Sequence, residues 1–271
     1  MNEEKINLPQ ELFDNTPLEP TKVFDNLYCV GSRSVVAWAL KTFEGIILID
    51  SMWDNHDAQL IIDGMKKMDL SPQEIKYIII THGHGDHYGG AQFIKDNYKA
   101  KIAMSETDYN FMNTVNSGAN GSRSPKCSVD IMIKDGQKIE LGDTIVTIIE
   151  TPGHTPGCIS LIFSVKDNGT NYNTVLWGGT GAPSDLEGKL DYRKSIDYFE
   201  KYAQIEHATV EITAHLFSEN GYSKLETVRN RKGNETNPFF IGEEGIKNYF
   251  DNLRKQINYM IEKQKNKSGE N

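Results

Sequence analysis

Thr81-His82-Gly83-His84-Gly85-Asp86-His87-Tyr88-Gly89-Gly90 decides how this chain is read. It follows a β-branched run, Tyr77-Ile78-Ile79-Ile80, and precedes a helical-looking segment, Ala91 to Tyr98. Three imidazoles and a carboxylate between His82 and His87 are more polar chemistry than packing calls for. His82 and His84 alternate along an extended loop and can turn to one side. Asp86 and His87 are adjacent, so they point apart and suit a second centre. Imidazole and carboxylate without thiolate fit zinc, iron or manganese. Gly83 and Gly85 let the backbone fold tightly around the site. A polar turn rich in histidine is the competing reading. It fits less well, because the stretch ends a buried-type strand, where open α/β sheets place their sites.

Working outward, the chain has 271 residues, of which 38% are hydrophobic and 25% charged, as expected of a globular protein. A net charge of −9 and a pI near 5.3 argue against a nucleic-acid surface, which needs clustered Lys and Arg. No apolar run has the length of a membrane span. Met1 to Gln10 is polar and acidic and carries no hydrophobic signal segment. Two compartments stay open: the cytoplasm, or the periplasm or exterior after removal of a leader. Cys29, Cys127 and Cys158 are widely spaced and odd in number, so they read as buried thiols.

The order of elements is strands, helices, strands, helices. Residues 1–20 read as a surface arm, 21–263 as one domain of two similar halves, and 264–271 as a polar, flexible tail. Two mixed sheets face to face with helices outside satisfy that pattern. Helices are expected over Asp54 to Met68, Tyr192 to Gln204, Asn220 to Asn230 and Ile246 to Lys263. Asn116 to Lys126 is long and rich in Gly, Ser and Asn, and reads as a functional lid.

Two further histidines follow strands. His154 sits in Thr151-Pro152-Gly153-His154-Thr155-Pro156-Gly157, a rigid turn that presents one side chain. His215 follows Val210-Glu211-Ile212-Thr213. His56 and His207 lack such settings. His82, His84 and His154 can make one centre with an open position, and Asp86, His87 and His215 a second. Two metals about 3.5–4 Å apart can share a hydroxide as nucleophile.

His-x-His-x-Asp-His, then Gly-His-Thr-Pro-Gly and a late histidine after a strand, resembles the metallo-β-lactamase superfamily. The resemblance covers nearly the whole chain and implies an α/β (α+β), four-layer αββα sandwich with two zinc ions. It also implies that Asp50 supports the histidine loop from behind. Lactonases and glyoxalase II-type thioesterases carry a bridging aspartate in a Gly-Asp pair, where this chain has Thr180. That pattern is similar to the third, cysteine-free subclass of class B β-lactamases, and it implies a hydrolase that opens a β-lactam ring by hydroxide attack on the amide carbonyl. Asp86 would bind metal and orient the nucleophile. Tyr222, Ser122 and Arg123 are candidate substrate contacts from loops, with plain surface positions as the competing reading. Gly181 and Ala182 depart from the hydroxyls that the subclass uses to hold a substrate carboxylate. The alternatives are the same machinery acting on another ester, thioester or lactone, and a non-enzymatic metal-binding scaffold. The expected partner is a small-molecule substrate, with neither nucleic acid nor membrane, and the oligomeric state is open.

Overall fold

The computed structural model describes residues 8–114, 123–233 and 235–268. Two sheets pack face to face. The first contains β1 (Thr21–Lys22), β2 (Leu27–Gly31), β3 (Val36–Thr42), β4 (Gly45–Ile49), β5 (Ile75–Ile79), β6 (Lys101–Ser105) and β7 (Ile131–Ile133), in that spatial order. β1 to β4 pair antiparallel and β4 to β7 parallel. The second contains β8 (Lys138–Leu141), β9 (Thr144–Glu150), β10 (Ile159–Asp167), β11 (Thr170–Leu176) and β12 (Val210–Ile212), in the reverse spatial order. Only its β11–β12 pair is parallel.

The strands of the first sheet are apolar on both faces because both faces are covered. Along β3 and β4 the side chains alternate between two cores. Ala37, Ala39, Ile46 and Leu48 face a core shared with α1 (Asn55–Lys67), and Trp38, Leu40, Ile47 and Ile49 face the second sheet. The chain also forms α2 (Gly85–Tyr88), α3 (Ala91–Tyr98) and α4 (Glu106–Thr114). Later come α5 (Leu186–Ile205), α6 (Gly221–Asn230) and α7 (Gly242–Ser268). The outer face of the second sheet meets α5 and α7 through Ile149, Val175, Trp177, Phe199 and Phe250. Helix, sheet, sheet and helix therefore form four layers, as the sequence pattern predicts.

Two helix boundaries differ from expectation. α5 begins at Leu186 rather than near Tyr192, because Asp185 caps it by accepting the Gly188 N–H at 2.7 Å. α7 runs from Gly242 to Ser268, past the point where the polar tail was expected to start. The N-terminal segment also does more than lie on the surface. Leu12 is buried, its carbonyl accepts from Ser34 Oγ, and Phe13 stacks on Trp53.

The parallel pairing brings the C-terminal ends of β4, β5 and β6 to one edge of the sandwich. The second sheet sends the ends of β9, β11 and β12 to the same edge. Two backbone bonds join the sheets there, from Ile159 N to Thr81 O and from Val36 N to Ala214 O, each at 2.9 Å.

Candidate metal centre

His82, His84 and His154 converge from both sheets, and so do Asp86, His87 and His215. Within each group the candidate ligand atoms lie within 4.8 Å of one another.

In the first group the rings stand nearly perpendicular, with centroids 4.6–4.9 Å apart. His154 Nδ1 bonds the Gly181 carbonyl at 2.7 Å, which makes it the donor and leaves Nε2 as the free lone pair. That Nε2 lies 3.0 Å from His84 Nδ1. Burial pushes His84 down to about 4 and His154 down to about 3, and it holds His82 well below its usual range. All three are therefore neutral near pH 7, and His82 Nε2 is buried without a hydrogen-bond partner among the described residues. An orphaned ring nitrogen among converging neutral imidazoles costs free energy unless a cation meets it.

The second group differs. His87 Nε2 and His215 Nε2 are 3.2 Å apart, and Asp86 Oδ2 is 3.4 Å from each. Ligands about 2.0–2.1 Å from a tetrahedral zinc stand roughly 3.3 Å apart, so the spacing suits one ion. His215 Nδ1 bonds the Ser34 carbonyl at 3.1 Å and His87 Nδ1 bonds Asp50 Oδ2 at 2.8 Å. Both rings thus turn Nε2 inward. Burial opposes charge on His87, but the Asp86 and Asp50 carboxylates outweigh it and hold that imidazole protonated above its ordinary range. Burial alone would raise Asp86, but the adjoining His87 and His215 hold its carboxyl below the usual range. A divalent ion supplies positive charge in the same place, so proton and metal compete for this triad.

Asp50 is fully buried and has φ of 60°, the left-handed region that Asp tolerates better than most residues. It also accepts from Thr81 N at 2.8 Å and Thr81 Oγ1 at 3.0 Å. Its carboxylate thus fixes both the histidine loop and the His87 ring.

Asp108 on α4 escapes the sequence reading. It is fully buried and accepts from Gly83 N at 2.7 Å, Gly157 N at 2.6 Å and Thr155 Oγ1 at 2.6 Å. One carboxylate therefore clamps the His82–His84 loop to the His154 loop. Ser105-Glu106-Thr107-Asp108 reads as a helix-start box, and Ser105 Oγ does accept from Asp108 N at 3.1 Å. The local signal gives the helix but not the side chain's long-range partners.

Glycine is needed where these loops close. A Cβ on Gly179 would stand 2.5 Å from His154 Cβ, and one on Gly153 would stand 2.5 Å from the Tyr192 backbone at φ of 138°.

His84, His154, Asp86 and His215 open onto one cleft of about 1040 Å³, whose walls include Leu8, Leu12, Phe111, Thr180 and Phe217. The Metallo-beta-lactamase superfamily matches residues 30–167, just over half of the chain. The chain belongs to this superfamily. A subclass B3 metallo-β-lactamase of Bradyrhizobium japonicum superposes with a TM-score of 0.79 at 26% identity, covering 94% of this chain and 97% of that one. In sequence, a hydroxyacylglutathione hydrolase of Nitrobacter hamburgensis is 26% identical over 72% of this chain and 78% of its own length. A probable polyketide biosynthesis zinc-dependent hydrolase of Bacillus velezensis is 26% identical over 78% of this chain and 82% of its own. This metallo-β-lactamase superfamily member is therefore a metal-dependent hydrolase.

The candidate substrate contacts fare differently. Thr180 lines the cleft. Tyr222 is not among the lining residues; its hydroxyl donates to the Arg33 carbonyl and the Arg33 guanidinium lies over its ring. Arg123 turns to Asp54 and Asp57. Ser122, with most of the expected lid, lies outside the described residues. The three cysteines are buried and free, and burial raises each thiol. His56 is exposed and stands beside half-buried Asp54 and buried Asp57, whose carboxylates are already bonded to Arg123.

Proposed function

We propose that the chain is a two-zinc hydrolase of activated carbonyl bonds, with the β-lactam amide as its nearest substrate type. His82, His84 and His154 would hold one ion, and Asp86, His87 and His215 the other. The observation that carries this reading is the pair of inward-facing ligand groups opening on a single cleft. When bound, the ions supply an activated water near neutral pH and positive charge for the developing oxyanion and leaving group.

The chain's own residues do the rest. Asp86, kept ionised and facing the cleft, orients the attacking water and takes its proton on a carboxylate oxygen. Asp50 keeps His87 pointing inward, and Asp108 keeps the two histidine loops in register. Leu8, Leu12, Phe111 and Phe217 seat the apolar part of a substrate and exclude bulk water. Thr180 supports the β-lactam reading, because a threonine there supplies no bridging carboxylate of the kind that the thioesterases carry.

The hydroxyacylglutathione hydrolases among the relatives favour a second reading, thioester hydrolysis. One experiment separates them: elemental analysis of the zinc-loaded protein, beside turnover of a chromogenic cephalosporin and of an acyl thioester. Two zincs per chain with cephalosporin turnover that His84→Ala removes is the expected result. Thioester turnover alone moves the substrate to the second reading. Less than one metal per chain overturns the two-ion assignment.

A further inference from the structure

The cleft has an ionisable wall of one sign. Asp185, Glu187 and Asp191, from the first turns of α5, all line it, and no Lys or Arg does so among the described residues. A helix N-terminus ordinarily attracts anions. Here Asp185 caps that end itself and Glu187 sits in the first turn, so the chain's own carboxylates already meet the helix's positive charge. Nearby cations are engaged elsewhere. Lys189 donates to the Ser184 and Asp185 carbonyls and to Gln264 Oε1, and Arg33 pairs with Asp14. Lys194 reaches Asp191, but it is 76% exposed, so the pair is open to screening by water and salt. Glu187 has no hydrogen-bond or ion-pair partner among the described residues. Beside this wall, the lining stretch Thr180-Gly181-Ala182-Pro183-Ser184 offers two hydroxyls and no cationic side chain.

We infer that the cleft selects acyl substrates whose portion beyond the scissile bond is cationic or uncharged, with Asp185, Glu187 and Asp191 as the cation-accepting wall. The inference rests on the hydrolase reading and narrows it. Glutathione-type thioesters and free-acid β-lactams carry carboxylates and would be turned over less efficiently than their quaternary-ammonium or neutral counterparts. A positive metal centre draws any anion toward the reacting end. The wall's own contribution is therefore the part of the preference that disappears when the wall is neutralised.

The test uses three thioesters of one aryl-acetic acid, made with thiocholine, 2-methoxyethanethiol and 3-mercaptopropionate. Hydrolysis of each adds one water across the acyl–sulfur bond and releases one acid and one free thiol, the common readout. The zinc-loaded protein is expected to favour the thiocholine ester over the carboxylate ester by about tenfold or more in kcat/KM at low salt. Raising the salt concentration should shrink that ratio. Asp185→Asn, Glu187→Gln and Asp191→Asn combined should reduce it at least about threefold. Asn still caps a helix and these positions are exposed or half-buried, so the variant keeps its fold. A preference for the carboxylate ester, or a ratio the triple variant leaves unchanged, overturns the inference. Binding of the same esters to the zinc-loaded protein, followed by tryptophan fluorescence, covers the case of no turnover. Tightest binding of the thiocholine ester, lost in the triple variant, sustains the inference while the hydrolase reading fails. Tightest binding of the carboxylate ester overturns it.

Discussion

The two ligand groups lie side by side yet are built on opposite electrostatic plans. His82, His84 and His154 are neutral by burial and are held by contacts to neutral backbone and hydroxyl groups. Asp86, His87 and His215 form a charged set, and the fully buried Asp50 backs it with a second carboxylate. The first group presents lone pairs and needs no proton removed before a cation enters. The second must exchange a proton for the cation and offers more negative charge in return. The two proposed metal positions would therefore differ in entry and in retention while facing the same cleft.

The largest expected effect comes from removing one group outright. His154→Ala should bring metal content down from two ions to one per chain and turnover to background, as read by elemental analysis and initial rates. Retention of both ions would erase the distinction between the groups. Asp50→Asn should act first on the charged group, weakening its ion by about 10–100-fold in competition with a chelator, with a smaller loss at the neutral group through Thr81, whose hydroxyl meets both Asp50 and His82. Asp108→Asn should show the mirror image. Its amide would turn a donor toward the N–H of Gly157 or of Gly83, loosening the loops of the neutral group with a loss of similar size, about 10–100-fold. Cobalt-substituted protein would report each change separately, since the two ligand sets absorb differently. Tyr222→Phe is the smallest, within about twofold in kcat/KM, because its hydroxyl serves the Arg33 carbonyl rather than the cleft. A larger loss would return Tyr222 to the substrate wall.

How much of this was legible in the sequence follows from range. The His82–His87 stretch and the turn around His154 announce themselves, because imidazoles and a carboxylate crowded at a strand end do little for packing and much for a cation. The layer order was legible from period-two and apolar runs such as β3 and β4. Asp108 was not, because its three acceptor bonds reach loops 25 to 49 residues away and nothing local marks them. The N-terminal segment was read as a surface arm because it is proline-rich and acidic. Only the tertiary fold shows Leu12 buried and lining the cleft. Tyr222 shows the converse, since an aromatic beside a late loop is a candidate contact until its hydroxyl partner is known.

Each ligand group draws members from both sheets, and this has a consequence for assembly. His84 and His154 are 70 residues apart in the chain, and His87 and His215 are 128 apart. An ion seated in either group is a non-covalent cross-link that closes a long loop, so it stabilises the docked sandwich by mass action over separated halves. Contacts of such sequence separation form late and slowly during folding. The protein would therefore register the free zinc around it in its unfolding temperature as well as in its catalysis, with the metal acting as the clasp between its two halves.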